Sequence, residues 1–289
     1  MQPSPAPHPN PSRPRVRPPA KACDTQVHVF GPQALFPYMP NRKYDPPDAP
    51  VEKLTRLHDV LGFDRGVIVH PSIHGTDNRA TLHAMRIANG RYRGVAVIGD
   101  ATTENDLAEM DAAGIRGIRF NFVRFLGGPP DLGVFRRAVE RVKGLGWHLI
   151  VHVEGVDLVE HEAMFRALGL PIIIDHMAHV DITQGLDQKP FRLMLELMKT
   201  GSWWVKIANG DRLSKKDAPW DDVIPYARAV IAANPDRVIW GTDWPHPQYR
   251  KAMPDDGALV DLLYDYVSDP ALIRKILVDN PEALYGFER

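Results

Sequence analysis

From Lys21 onward the chain alternates short apolar runs with stretches whose apolar residues recur every three or four positions, the spacings of strand and helix. Eight runs read as strands: ACDTQVHVF, RGVIVHPS, RGVAVIGD, GIRGIRFNF, WHLIVHVEG, PIIIDHMAH, SWWVKIAN and RVIWGTDWP. Between them VEKLTRLHDVLG, NRATLHAMRIANG, LGVFRRAVERVKGLG and KPFRLMLELMKTG carry helical spacing, and each stops at a glycine, as helix C-termini often do. Strand and helix alternating eight times over roughly 250 residues predict the α/β class and a single (β/α)8 TIM barrel. A doubly wound open sheet is the alternative, but no glycine-rich phosphate turn of GxGxxG type follows the first strand. No Pro/Gly/Ser-rich linker interrupts residues 21–289, which are expected to form one catalytic domain. Residues 1–20 are Pro-rich and basic without the apolar stretch of a secretory signal, and are expected to be a disordered or loosely wrapped tail.

The placement of polar residues carries the functional argument. Gln26 and His28 end the first run, His70 and Ser72 the second, Arg119 and Asn121 the fourth. His152 and Glu154 end the fifth, Asp175 and His176 the sixth, Lys206 the seventh and Asp243 the eighth. The C-terminal strand ends of a (β/α)8 barrel converge on one mouth, where such enzymes place their chemistry. One histidine alone reads as a core residue satisfied by the backbone; so many strand ends together predict an active site.

Composition narrows the ligand. With 44% hydrophobic and 25% charged residues and a formal net charge of −1, the chain has no global field to recruit nucleic acid or an anionic membrane. No apolar run is long enough to span a bilayer, so a small molecule is the expected partner. The single cysteine, Cys23, excludes an internal disulfide framework and Cys-based zinc motifs, and points to a reducing, cytoplasmic setting. No base neighbours it in sequence, so it is not expected to be a nucleophile.

The stretches CDTQVHVFGP, FPYMPNRKYDPP, HPSIHGTDN, RGIRFNF, IIIDHMAH, WGTDWPHPQ and DNPEALYGF run from about residue 22 to the C-terminus. On these the chain resembles the amidohydrolase superfamily, and within it the branch of 2-pyrone-4,6-dicarboxylate lactonase and related sugar-lactone enzymes. The resemblance implies a metal-independent hydrolase that opens a small carboxylated lactone. It nominates Asp243 as the base for water, with His28 and His176 near the lactone carbonyl, and Tyr44, Ser72, Arg119 and Arg212 as substrate-binding residues. Gln248 joins that group. Gln26 stands where the lactonase has the first histidine of an HxH pair, as also suits galactarolactone isomerases. His152 and His179 stand where it has a substrate-binding tyrosine and arginine, and Arg124 falls one position short of a second loop arginine. The alternatives are a sugar-acid lactone isomerase, a zinc-dependent hydrolase or decarboxylase with one ion on His28, His152, His176 and Asp243, and a barrel that binds an acidic ligand without turning it over.

Elementary chemistry supports several of these roles. Asp243 follows the apolar VIWGT, and a buried carboxylate must be paired or catalytic because its desolvation is expensive. Arg119 shares a strand face with Asn121, and a guanidinium in a barrel mouth suits bidentate recognition of a carboxylate. Gln26 lacks an imidazole nitrogen, but its amide could donate to an oxyanion, which a metal-free site needs in place of a Lewis acid. Three nitrogens and one oxygen could equally hold zinc. His246 is expected to support the loop after Asp243.

Overall fold

A computed structural model describes residues 2–288. Eight parallel strands pair in chain order: β1 (Cys23–Val27), β2 (Arg65–Val69), β3 (Tyr92–Ala96), β4 (Ile115–Asn121), β5 (His148–His152), β6 (Ile172–Ile174), β7 (Trp203–Lys206) and β8 (Val238–Ile239). The predicted helices lie between them, including α1 (Val51–Leu61), α2 (Arg79–Ile87), α4 (Leu132–Lys143) and α6 (Lys189–Lys199), with α3 (Glu104–Ala113) and α5 (Gly155–Arg166) completing the first six. Gly62 closes α1 at φ 89°, a left-handed cap that costs glycine nothing. This is the (β/α)8 architecture.

The ring closes through irregular chain rather than an eighth pairing of regular strands. Thr25 N donates to Trp240 O at 3.0 Å, Asp243 N to Gln26 O at 2.8 Å and His28 N to Trp244 O at 2.8 Å. Closure therefore sets Asp243 beside His28. The strands bury both faces, as parallel sheets do. Val67, Val69, Val95, Ile150, Ile173, Trp204 and Ile239 pack together with Tyr285 and Phe287, while the alternate positions Ile68, Ile118, Leu149, Val151, Ile172 and Ile174 face the helices.

One expectation is corrected. The sixth apolar run was read as strand to its end, but β6 stops at Ile174. His176, Met177, Ala178 and His179 follow in the left-handed region, at φ 51°, 50°, 54° and 44°. The N-terminal segment lies against the barrel: Gln2–Pro3 pairs in parallel with Tyr44–Asp45, and Ser12 N donates to Asp255 Oδ1 at 2.8 Å. Arg15 reaches Asp261 at 3.1 Å and Asp265 at 3.0 Å along the helix Asp256–Tyr266. Backbone pairing and specific ion pairs hold a segment whose composition alone would leave it loose. Among the described residues, no helix is long and apolar enough to cross a membrane.

Candidate active site

A cavity of about 360 Å³ opens at the C-terminal ends of the strands. His28, Tyr44, Ser72, Arg119, His152, His176, His179, Arg212, Asp243 and Gln248 line it, so ten of the expected residues converge. Pro71, Phe125, Leu126, Asn209, Pro247 and Arg250 complete the wall.

Asp243 is 4% exposed and has three neighbours able to stabilise its charge. His28 Nε2 lies 3.2 Å from Oδ1, Arg212 Nη2 lies 3.2 Å from Oδ2, and His176 Nε2 approaches Oδ1 to 3.9 Å. Burial alone would raise the carboxyl, but the hydrogen bond with His28, the nearby His176 ring and the charge of Arg212 outweigh it and hold Asp243 well below the usual carboxylate range. His28 is oriented from its far side, where Nδ1 donates to Val69 O at 2.7 Å. Arg212, on the short helix Gly210–Leu213, also donates to Pro247 O at 3.0 Å and lies over the Tyr249 ring. Asp243 (φ 66°) and Gln248 (φ 59°) hold left-handed backbone around the cavity, the local strain that functional sites often store. His246 pairs with Asp256 at 3.0 Å and so supports this loop.

Arg119 reaches the cavity pinned. Its Nε and Nη2 lie 2.8 and 2.7 Å from Asp175 Oδ2, and Lys206 Nζ lies 2.9 Å from Asp175 Oδ1. Register explains the pairing: Ile174 sits opposite Val205, so the next residues, Asp175 and Lys206, meet. Burial pushes the Asp175 carboxyl up, but Lys206 and Arg119 overcome it and hold Asp175 well below its ordinary range.

Beside it lies a wall of neutral imidazoles. His152 Nδ1 meets Asn121 Oδ1 at 2.8 Å, and its Nε2 is 2.9 Å from His179 Nε2. An amide oxygen can only accept, so His152 carries its proton on Nδ1 and its Nε2 accepts from His179. Burial is the main cause that lowers all three: His152 well below its ordinary value, His176 to about 3 and His179 to about 4. The left-handed turn brings His176 and His179 together, because three residues make about one turn of so tight a helix. Phe125 packs edge-on against His152 and His179. Tyr44 is buried, and burial raises its phenol to about 12 against a smaller opposing influence of Ser72.

Two expected residues do not join the cavity. Gln26 lies two positions before His28 on the strand, about 6.6 Å deeper at the usual rise per residue. There Lys206 Nζ donates to its Oε1, and its Nε2 is buried without a partner. Arg124 opens the turn Arg124–Leu126 with its side chain exposed, while the two apolar residues after it face the cavity. Asp175, Lys206, Phe125, Asn209 and Arg250 were assigned no role from sequence. Asp175 and Lys206 were visible as polar residues at strand ends, but their pairing depends on strand register.

The zinc set anticipated from sequence can be tested on this geometry. His28 is committed to Asp243 and Val69, while His152 faces His179. Among the described residues, His152, His176 and His179 form the only group of three or more His, Cys, Asp or Glu side chains whose ligand atoms converge. The anticipated set does not gather.

Fold and site define a barrel enzyme of the amidohydrolase class. The chain belongs to the amidohydrolase family, whose sequence profile matches residues 23–287. It is 41% identical over 287 residues to a 2-pyrone-4,6-dicarboxylate hydrolase of Comamonas testosteroni, covering 96% of this chain and 94% of that one. It is 42% identical over 282 residues to a 4-sulfomuconolactone hydrolase of Hydrogenophaga intermedia, covering 96% and 92%. Among solved structures it matches a protein of Acinetobacter baumannii described as a 2-pyrone-4,6-dicarboxylic acid hydrolase, with citric acid bound. There the TM-score is 0.81 at 28% identity, covering 92% of this chain and 100% of that one.

Proposed function

We propose that this chain is a lactone hydrolase that opens a small anionic lactone with water activated by Asp243 and without a resident metal. The observation that carries this reading is the Asp243 carboxylate itself, kept ionised at the cavity by His28, Arg212 and His176. Water loses a proton to Asp243 while its oxygen bonds to the lactone carbonyl carbon. The negative charge that develops on the carbonyl oxygen is met by an N–H of His176 on the cavity wall, while His28, bonded to Val69 and Asp243, holds the base in place. Collapse of the tetrahedral intermediate breaks the bond from acyl carbon to ring oxygen, and the proton on Asp243 passes to that leaving oxygen. The product is an open-chain acid and Asp243 is again a carboxylate. Arg119, Arg212 and Tyr44 hold the anionic substrate, and the apolar wall of Phe125, Leu126 and Pro71 takes its carbon face. Relatives named for hydrolysing anionic lactones, and a similar structure with citric acid bound, support an acidic ligand.

Turnover of 2-pyrone-4,6-dicarboxylate and 4-sulfomuconolactone in ¹⁸O-water, before and after exhaustive chelation, tests this reading. One ¹⁸O per product molecule, in the newly formed carboxylate, and an unchanged rate after chelation are expected. Product lacking ¹⁸O would mean isomerisation. Activity lost on chelation and restored by zinc would end the metal-free mechanism. Binding with no turnover of either lactone would favour a ligand-binding barrel.

A further inference from the structure

We infer that residues 2–4 form a strap at the barrel mouth and that Ser4 is a positioning residue for the site. It fixes the peptide on which Arg212 rests, and through Arg212 the place of an anionic substrate beside Asp243. The strap joins two segments that lie far apart in the chain. Gln2–Pro3 pairs in parallel with Tyr44–Asp45, and Ser4 N donates to Asp45 O at 2.9 Å. The Ser4 hydroxyl oxygen then accepts from Gln248 N at 2.8 Å. Tyr44 and Gln248 both line the cavity. Ser4 is 7% exposed, and a bond lost at so buried a position is not made good by bulk water.

The bond to Gln248 matters because of what lies across the same peptide. A planar trans peptide points its N–H and its C=O in opposite directions. The Pro247–Gln248 unit gives its N–H to Ser4, while its carbonyl oxygen accepts from Arg212 Nη2 at 3.0 Å; the same Nη2 lies 3.2 Å from Asp243 Oδ2. Ser4 therefore stands one peptide and one guanidinium away from the base. Gln248 also holds φ 59°, a conformation that a residue with a side chain keeps only where its surroundings impose it. Ser4 imposes it from outside and Arg212 from the cavity. Without the hydroxyl the Gln248 N–H loses its acceptor, the peptide can turn, and Arg212 loses a fixed carbonyl. Farther along the segment, Ser12 N on Asp255 and Arg15 on Asp261 and Asp265 anchor the strap at its other end. The consequence for substrate rests on the hydrolytic reading proposed above; the link from Ser4 to Arg212 does not.

Full-length Ser4→Ala, Ser4→Thr and Ser4→Pro variants test the strap by two readouts. Hydrogen exchange at the Gln248 amide reports the tie itself, and KM against kcat for 2-pyrone-4,6-dicarboxylate reports its consequence. Ser4→Ala should speed Gln248 exchange about tenfold and raise KM about three- to tenfold, the worth of one hydrogen bond, with kcat within about twofold and the urea midpoint unmoved. Ser4→Thr keeps the hydroxyl and should restore both readouts. Ser4→Pro also loses the N–H given to Asp45, and its effect should equal or exceed that of Ser4→Ala. Unchanged exchange in Ser4→Ala overturns the proposal, and so does faster exchange with KM unchanged. A Ser4→Thr variant as impaired as Ser4→Ala overturns it too, because the hydroxyl would then not be the group that acts. Should the wild-type chain turn over neither lactone, the hydrolytic reading ends. The strap is then judged on Gln248 exchange and on calorimetric affinity for the same dicarboxylate, which Ser4→Ala should weaken by the same about three- to tenfold.

Discussion

The two walls of the cavity are held by opposite electrostatic means. On one, Asp243 and Arg119 are ionised and fixed by other charges, through Arg212 and through the buried chain Arg119–Asp175–Lys206. On the other, His152, His176 and His179 are kept neutral by burial; His152 meets Asn121 and His179, and His176 borders the charged wall, 3.9 Å from Asp175 and from Asp243. A pinned charge cannot reorient to follow a substrate, so the first wall fixes where the anion and the attacked carbonyl sit. A neutral imidazole can donate, accept or ligate, so the second wall tolerates changes in ligand chemistry. Fixed charge sets the reaction, and adjustable polarity sets what it accepts.

Breaking the charged wall at its base should give the largest effect. Asp243→Asn keeps the shape and removes the proton acceptor, so turnover of an acidic lactone should fall about 10²- to 10⁴-fold, with binding changed only a few-fold. Steady-state kinetics with direct binding measurements check this. A variant keeping more than about a tenth of the wild-type rate would take Asp243 out of the mechanism. Next comes the pin itself. Lys206→Met leaves Asp175 half-compensated at a site with 0% exposure and should cost about 3–5 kcal/mol of stability by urea unfolding. A loss under about 1 kcal/mol would show that Arg119 alone suffices to hold Asp175.

A third variant separates the sequence reading from the structural one. As a direct oxyanion donor, Gln26 would be worth about 10²- to 10³-fold in rate. As a buried acceptor for Lys206, its replacement by leucine should instead cost about 1–3 kcal/mol of stability and less than tenfold in kcat. Paired unfolding and rate measurements decide between them.

The barrel was legible because eight apolar runs and glycine-stopped helices all follow one period, and ten of the residues expected at the mouth lie there because strand ends must converge. Depth was not legible. Gln26 and His28 share a strand face, and only the position of Lys206 across the barrel shows that one serves the floor and the other the cavity. Arg124 failed for a related reason: after β4 the chain leaves the sheet, so alternation no longer says which side chain turns inward. The left-handed turn at His176–His179 was invisible because none of its residues is glycine or asparagine, the usual signals for positive φ.

The smallest effect probes the cost of keeping imidazoles neutral, away from the catalytic residues. His148, 2% exposed at the start of β5, is lowered by burial to about 3, against an ordinary value of 6.5. Between those values the unfolded chain binds a proton there and the folded protein does not, so the free energy of unfolding must fall as pH drops through that window. This contribution is fully favourable to folding only above about pH 6.5. His148→Phe removes the proton difference and should flatten the stability profile between pH 7 and 5 by at most about 1.4 kcal/mol per pH unit. Urea unfolding at pH 7, 6 and 5 for both proteins measures it. Parallel profiles would mean that His148 is protonated to the same extent folded and unfolded, and that burial in this barrel does not hold it neutral.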